Sequence, residues 1–162
     1  MAKQQLILYF SYSGHTKKMA DELSRQLGDV KTVEIKTKKP YSSDYNQALA
    51  VSHIEYTNQL LPNLSNDKID DMDDYDQIFV GFPIWEFSVP MAVVSFLNDY
   101  DLSKKELYIF DSYDFSNHNN SQRDLKDILG LTAKSELSIQ SANTLHPEQP
   151  IEKWLKDNKL VK

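Results

Sequence analysis

The sequence contains no cysteine. That excludes disulfides, thiolate-held iron–sulfur clusters and a thiol nucleophile. Glycine is also scarce, with four residues where average usage of ~7% would place roughly eleven. Long apolar runs are missing too. No stretch approaches the ~20 residues of a membrane span, and the run Leu6–Phe10 is too short for a signal-peptide core. Positive charge is in the minority, with 18 Lys and Arg against 24 Asp and Glu and a net charge of −6. A shortage of cations argues against a nucleic-acid partner, whose binding rests on neutralised phosphates. It suits solubility in general and pairing with a basic protein surface in particular. The four histidines, His15, His53, His118 and His146, have no metal-ligand spacing such as HExxH. The expectation is a cytoplasmic protein with no membrane or nucleic-acid partner and no metal.

What is present reads as one domain over residues 1–162, long enough to bury a core unaided. Leu6–Phe10 is a continuous apolar run of strand length, as in a strand buried on both faces. Residues 16–27 change period: Met19, Ala20, Leu23 and Leu27 line one face of a helix that Gly28 ends. Val30–Lys36 alternates as a second strand. A loop over 40–44 offers Ser43 or Asp44 as a helix cap, and a loosely periodic helix follows over 45–60. The aspartate-rich segment 62–76 reads as a solvated surface loop.

Gln77–Phe82 is a third strand. Pro90 opens a helix whose Val93, Phe96, Leu97 and Tyr100 share a face. Leu107–Phe110 is a fourth strand. Leu125, Ile128 and Leu129 mark a helix ending at Gly130, Leu131–Ile139 an edge strand, and Ile151, Trp154 and Leu155 a closing helix. Strict alternation of strand and helix predicts an α/β fold with a mostly parallel sheet, helices on both faces and right-handed crossovers.

In such a sheet ligands bind beyond the carboxyl ends of the strands, where strand order reverses. Three loops lie there: 11–16, 81–90 and 111–118. In the first, Ser11, Ser13 and Thr16 supply hydroxyls around Gly14, which permits a turn that exposes successive N–H groups. The helix that follows begins with unpaired N–H groups. Together they form a cup for a phosphate, unless Ser13 or Thr16 serves only as a helix cap. No Walker lysine follows, so a magnesium triphosphate is not expected. In the second loop Trp85 either stacks on a planar heterocycle or folds back onto the core with Phe87.

These two segments carry a resemblance. "LYFSYSGHTKKMADEL" is similar to the phosphate loop of flavodoxins, and "DYDQIFVGFPIWEFSVPMAVVSFL" resembles the third strand and ring loop of a bacterial flavodoxin subgroup with a G-x-P-I-W segment. The similarity runs to about residue 130. It implies a flavodoxin-like three-layer sandwich with a five-stranded parallel sheet in the order 2-1-3-4-5, and flavin mononucleotide (FMN) bound between the first and third strands. Carried over by position, Ser11, Tyr12, Ser13, Gly14, His15 and Thr16 hold the phosphate, and Pro83, Ile84, Trp85 and Glu86 border the ring.

The third loop departs from the pattern. Relatives are glycine-rich there, whereas this chain has Asp111, Ser112, Tyr113, Asp114 and Phe115 and no glycine. Tyr113 or Phe115 stacks on the ring, or the loop fills the site. Glu86, Asp111 and Asp114 either destabilise a reduced flavin anion, lowering its potential, or are ordinary solvated carboxylates. Three functions compete. The first is an FMN electron carrier serving protein partners. The second is an FMN-dependent NAD(P)H:quinone or nitro-compound reductase acting on a small electron acceptor. The third is a flavin-free binding module.

Overall fold

The computed structural model describes residues 2–161. Its five strands are β1 (Gln5–Tyr9), β2 (Lys31–Glu34), β3 (Gln77–Pro83), β4 (Glu106–Tyr113) and β5 (Ala133–Gln140). They form one sheet in the order β2-β1-β3-β4-β5. Every pairing is parallel. The five helices are α1 (His15–Gln26), α2 (Tyr45–Asn58), α3 (Met91–Leu97), α4 (Ser121–Leu129) and α5 (Glu148–Asp157).

Side chains alternate across each central strand. Leu6, Leu8, Ile78, Val80, Phe82, Leu107 and Ile109 face α3 and α4 in one cluster. Ile7, Tyr9, Phe79, Tyr108 and Phe110 face α1 and α5 in the other, where Met19, Leu23, Ile151 and Trp154 cover them. With both faces buried, the central strands are apolar through Leu6–Tyr9, Ile78–Phe82 and Leu107–Phe110, which is why they appeared as unbroken runs. Gly81 of β3 has a packing role: a Cβ there would lie 2.1 Å from the Phe110 ring.

Several boundaries shift. β2 is shorter than the expected 30–36. β4 continues three residues past Phe110 because both neighbours pair with it, Phe82 and Pro83 with Asp111 and Ser112, and Gln140 with Tyr113. Of the two candidate caps, Asp44 caps α2, its carboxylate accepting from the Gln47 N–H at 3.1 Å. Segment 62–76 is more than a solvated loop, since Ile69 and Met72 are buried and Leu64 bridges Thr37. Among the described residues no helix is long and apolar enough to cross a membrane.

Candidate functional site

The first loop joins the buried end of β1 to α1. Its backbone turns at Gly14 with φ +93, a conformation that side chains resist. A Cβ on Gly14 would meet nothing within 4 Å, so glycine is needed there for its conformation, and the space above it is open. α1 has no side-chain cap. The Ser11 hydroxyl instead accepts long bonds from the Gly14 and Lys17 N–H groups, at 3.2 and 3.3 Å. Among the described residues, the N–H groups of Ser13, His15 and Thr16 find no acceptor. Orphan donors at the positive end of a helix are matched by an anion. At 11–16 it is therefore backbone, rather than side chains, that presents free donors among the described residues.

Two side chains expected in that cup turn elsewhere. Thr16 is buried, and its hydroxyl meets that of Ser112 at 2.9 Å. The His15 Nδ1 lies 2.9 Å from the hydroxyl of buried Thr144. That hydroxyl donates to the Ser141 carbonyl at 2.8 Å. Its one proton being used, it accepts from His15, which fixes the Nδ1–H tautomer. His15 thus ties the start of α1 to the turn after β5.

In the second loop Trp85 folds back. It is 3% exposed and meets Phe10, Tyr12 and Tyr41 edge-on, with ring centroids 5.4, 5.5 and 5.1 Å away. Phe87 does the opposite and is 58% exposed. Between them Glu86 and Phe87 both have φ +55, and Trp85 and Ser88 exchange backbone hydrogen bonds of 3.1 and 2.9 Å. This is a tight turn whose two central positions usually hold Asn and Gly. Glu86 accepts from the His53 Nδ1 of α2 at 2.8 Å.

The third loop is shorter than expected. Asp111 and Ser112 lie inside β4 and are buried, which corrects their placement among the loop residues. Asp111 accepts from Ser138 of β5 at 2.7 Å, and its other oxygen is unpartnered. Burial first, and Glu136 beside it second, raise its carboxyl far above the carboxylate range, outweighing the Ser138 bond. It holds its proton at neutral pH, so it is not the solvated anion considered above. Tyr113 closes the strand, half-buried, and Asp114 and Phe115 project into solvent, Phe115 with 96% of its surface exposed.

Residues from beyond β2 complete the arrangement, and sequence reasoning did not select them. The Tyr45 hydroxyl donates to Asp114 at 3.0 Å, reaching across the carboxyl edge of the sheet. Burial and that bond push Tyr45 up to about 12. Tyr12 donates to the Ser42 carbonyl at 2.5 Å. Tyr41 joins the rings around Trp85 and donates to Glu55 at 2.7 Å. Two tyrosines flanking a helix cap in a loop at this edge of the sheet were the available signal.

A family model for flavodoxins matches residues 4–158. Among solved structures, a candidate flavoprotein from Bacteroides eggerthii is 27% identical, with 99% of each chain covered and a TM-score of 0.82. A flavoprotein from Lactobacillus acidophilus in complex with FMN is 24% identical, with 94% of this chain and 99% of that one covered and a TM-score of 0.76. Oxidised flavodoxin 2 from Bacillus cereus is 21% identical, with 93% and 91% covered and a TM-score of 0.54. No curated protein matches the chain.

Proposed function

This chain belongs to the flavodoxin family, and from that premise we propose that it binds FMN and passes electrons between partner proteins in the cytoplasm. The carrying observation is the cup at 11–16. Three unpaired N–H groups beside a left-handed glycine, with open space above, fit a phosphate monoester. The FMN complex of the Lactobacillus relative supports the same ligand. In this reading Ser11, Tyr12, Ser13, Gly14 and the backbone of His15 and Thr16 hold the phosphate. Pro83, Ile84 and Glu86 border the ring on one side, with Trp85 packed behind them against Phe10, Tyr12 and Tyr41, and Tyr113, Asp114 and Phe115 border it on the other. Bound FMN supplies reversible uptake of one or two electrons; the chain supplies placement and electrostatics.

Thr16 and Ser112 act behind the cup, their shared hydrogen bond holding α1 against β4. Glu86 and Asp114 are the carboxylates left to bear on the flavin's potential. The Gly81–Trp85 segment supports membership of the G-x-P-I-W subgroup, and one sheet matched from residue 4 to 158 supports a single domain. The test is the visible spectrum of the purified protein, followed by FMN titration of the flavin-free form. One FMN should bind per chain, and Gly14→Val should weaken it by about a hundredfold or more. No saturable binding up to ~100 μM FMN would overturn the proposal and leave the binding-module reading.

One observation favours the reductase as a second reading. Phe87 and Phe115 are exposed at the ring loops, as the lining of an open substrate pocket would be. NAD(P)H oxidation by the FMN-loaded protein alone, on addition of a quinone, would favour it over the carrier.

A further inference from the structure

The first and third loops leave β1 and β4, and β3 lies between those two strands. At the usual strand spacing their origins stand roughly 9–10 Å apart. One side chain closes that gap. Tyr45, the first residue of α2, sets its ring 5.9 Å from that of Tyr12 in the first loop. Its hydroxyl donates to the Asp114 carboxylate in the third loop at 3.0 Å. The bridge therefore crosses in front of the second loop, from the cup to the far wall of the site.

The two ends of the bridge are held differently. The start of α2 is fixed through its backbone. The Ser42 carbonyl accepts from the Tyr12 hydroxyl at 2.5 Å, and the Ser42 hydroxyl from the Asp44 N–H at 3.1 Å. Asp44 in turn caps the helix, and Tyr45 follows it directly. The Asp114 end is looser. Residues 114–118 are all exposed. Among the described residues, the side-chain hydrogen bonds that tie this stretch to a helix or strand both end on Asp114. One is the Tyr45 bond; the other runs from the Gln140 side chain of β5 to the Asp114 carbonyl at 3.2 Å. A segment with so few ties opens at low cost. Tyr45 itself is 41% exposed, so water can replace its partner when the bond parts, and no buried group is orphaned.

We propose that Tyr45 is a positioning residue of the flavin site: its hydroxyl holds Asp114, and the pair is a latch across the mouth that must part before a flavin enters or leaves. The proposal rests on the FMN reading, in which the ligand runs between the same two loops, its phosphate on 11–16 and its ring between 83–86 and 113–115. A latch that closes the empty and the filled site alike slows entry and exit by the same factor, the fraction of time it is open. A side chain that only gripped the ligand would slow exit alone.

The test is stopped-flow mixing of the flavin-free protein with FMN, and displacement of bound FMN, followed by flavin fluorescence on wild type, Tyr45→Phe, Asp114→Ala and the double variant. Tyr45→Phe keeps the ring and removes the hydroxyl. It should quicken association and dissociation in step, by about threefold or more. Asp114→Ala also removes a negative charge that repels the phosphate, so the decisive comparison is within that background: there Tyr45→Phe should add nothing. In the flavin-free protein, Tyr45→Phe should also quicken amide exchange over 113–118 and leave α5 as it was. An association rate that Tyr45→Phe does not change overturns the proposal. So does the same acceleration with Asp114 absent, or unchanged exchange over 113–118. Failure of FMN to bind wild type and variants alike overturns the flavin reading and this proposal with it, whereas binding at unchanged rates overturns this proposal alone.

Discussion

Asp111 and Glu106 are carboxyl groups on the same strand, and their surroundings push them in opposite directions. Glu106 is held down to about 2 by its bonds from Lys3 and Gln77. Asp111 is raised by burial and by Glu136. The two therefore have opposite linkage to stability. The stabilisation from Glu106 is present above its unfolded value of ~4.3 and is lost as pH falls toward its folded value. For Asp111 the folded state binds the extra proton, so stability is fullest below ~3.9 and declines as pH rises through its folded value. Asp111→Asn removes that decline while keeping an acceptor for Ser138. We predict that it flattens the fall in urea-unfolding free energy above pH 5 and adds about 1–2 kcal/mol near pH 8. An unchanged slope would assign the decline to another group.

Among the elements, α2 is held least by apolar burial. Only Ala48 and Ser52 are fully buried, while Val51 and Ile54 are exposed. Polar ties replace the missing stripe. Tyr45 reaches Asp114, His53 reaches Glu86, and Tyr56 donates to Asp124 at 2.6 Å. Burial works to raise Asp124, but bonds from Ser88, Tyr56 and Arg123 outweigh it and keep the carboxyl ionised at neutral pH. Removing one donor leaves that charge poorly satisfied. Tyr56→Phe should cost about 1–2 kcal/mol, with amide exchange quickening first in α2. Uniform acceleration across the sheet instead would mean that α2 unfolds only with the whole.

The same contrast explains what was legible beforehand. β1, β3 and the first part of β4 are buried on both faces, and their unbroken apolar runs announced them and their parallel order. α2 has no such stripe and gave only loose periodicity. β4 was read as ending at Phe110 because Asp111 and Ser112 are polar; pairing with β3 and β5 carries it on, and that information lies far along the chain. The glycine at 14 pointed to the cup because its conformation is a local need. The partners of Thr16 and His15, 96 and 129 residues away, left no local trace.

For the whole molecule, net charge and the site's position bear on encounter. The cup and ring loops share the carboxyl edge of the sheet on a body of charge −6. On the electron-carrier proposal, the reduced protein should react faster with a small cationic acceptor than with an anionic one of similar potential. Stopped-flow rates should show that gap narrowing about tenfold or more between ~10 and ~500 mM salt. A gap indifferent to salt would mean that the lysines at 36–39, closer to the site, cancel the distant acids.

The position of β1 has a consequence for synthesis. The strand of this sheet made first, β1, lies inside it, flanked by β2 on one side and by β3 on the other, with Gln5 opposite Gln77. A growing chain that ends short of residue 77 carries Leu6, Ile7 and Leu8 with one bare ladder edge. On the ribosome β1 must therefore stay sheltered until β3 has emerged, and a nascent chain stalled before residue 77 would expose an aggregation-prone strand edge.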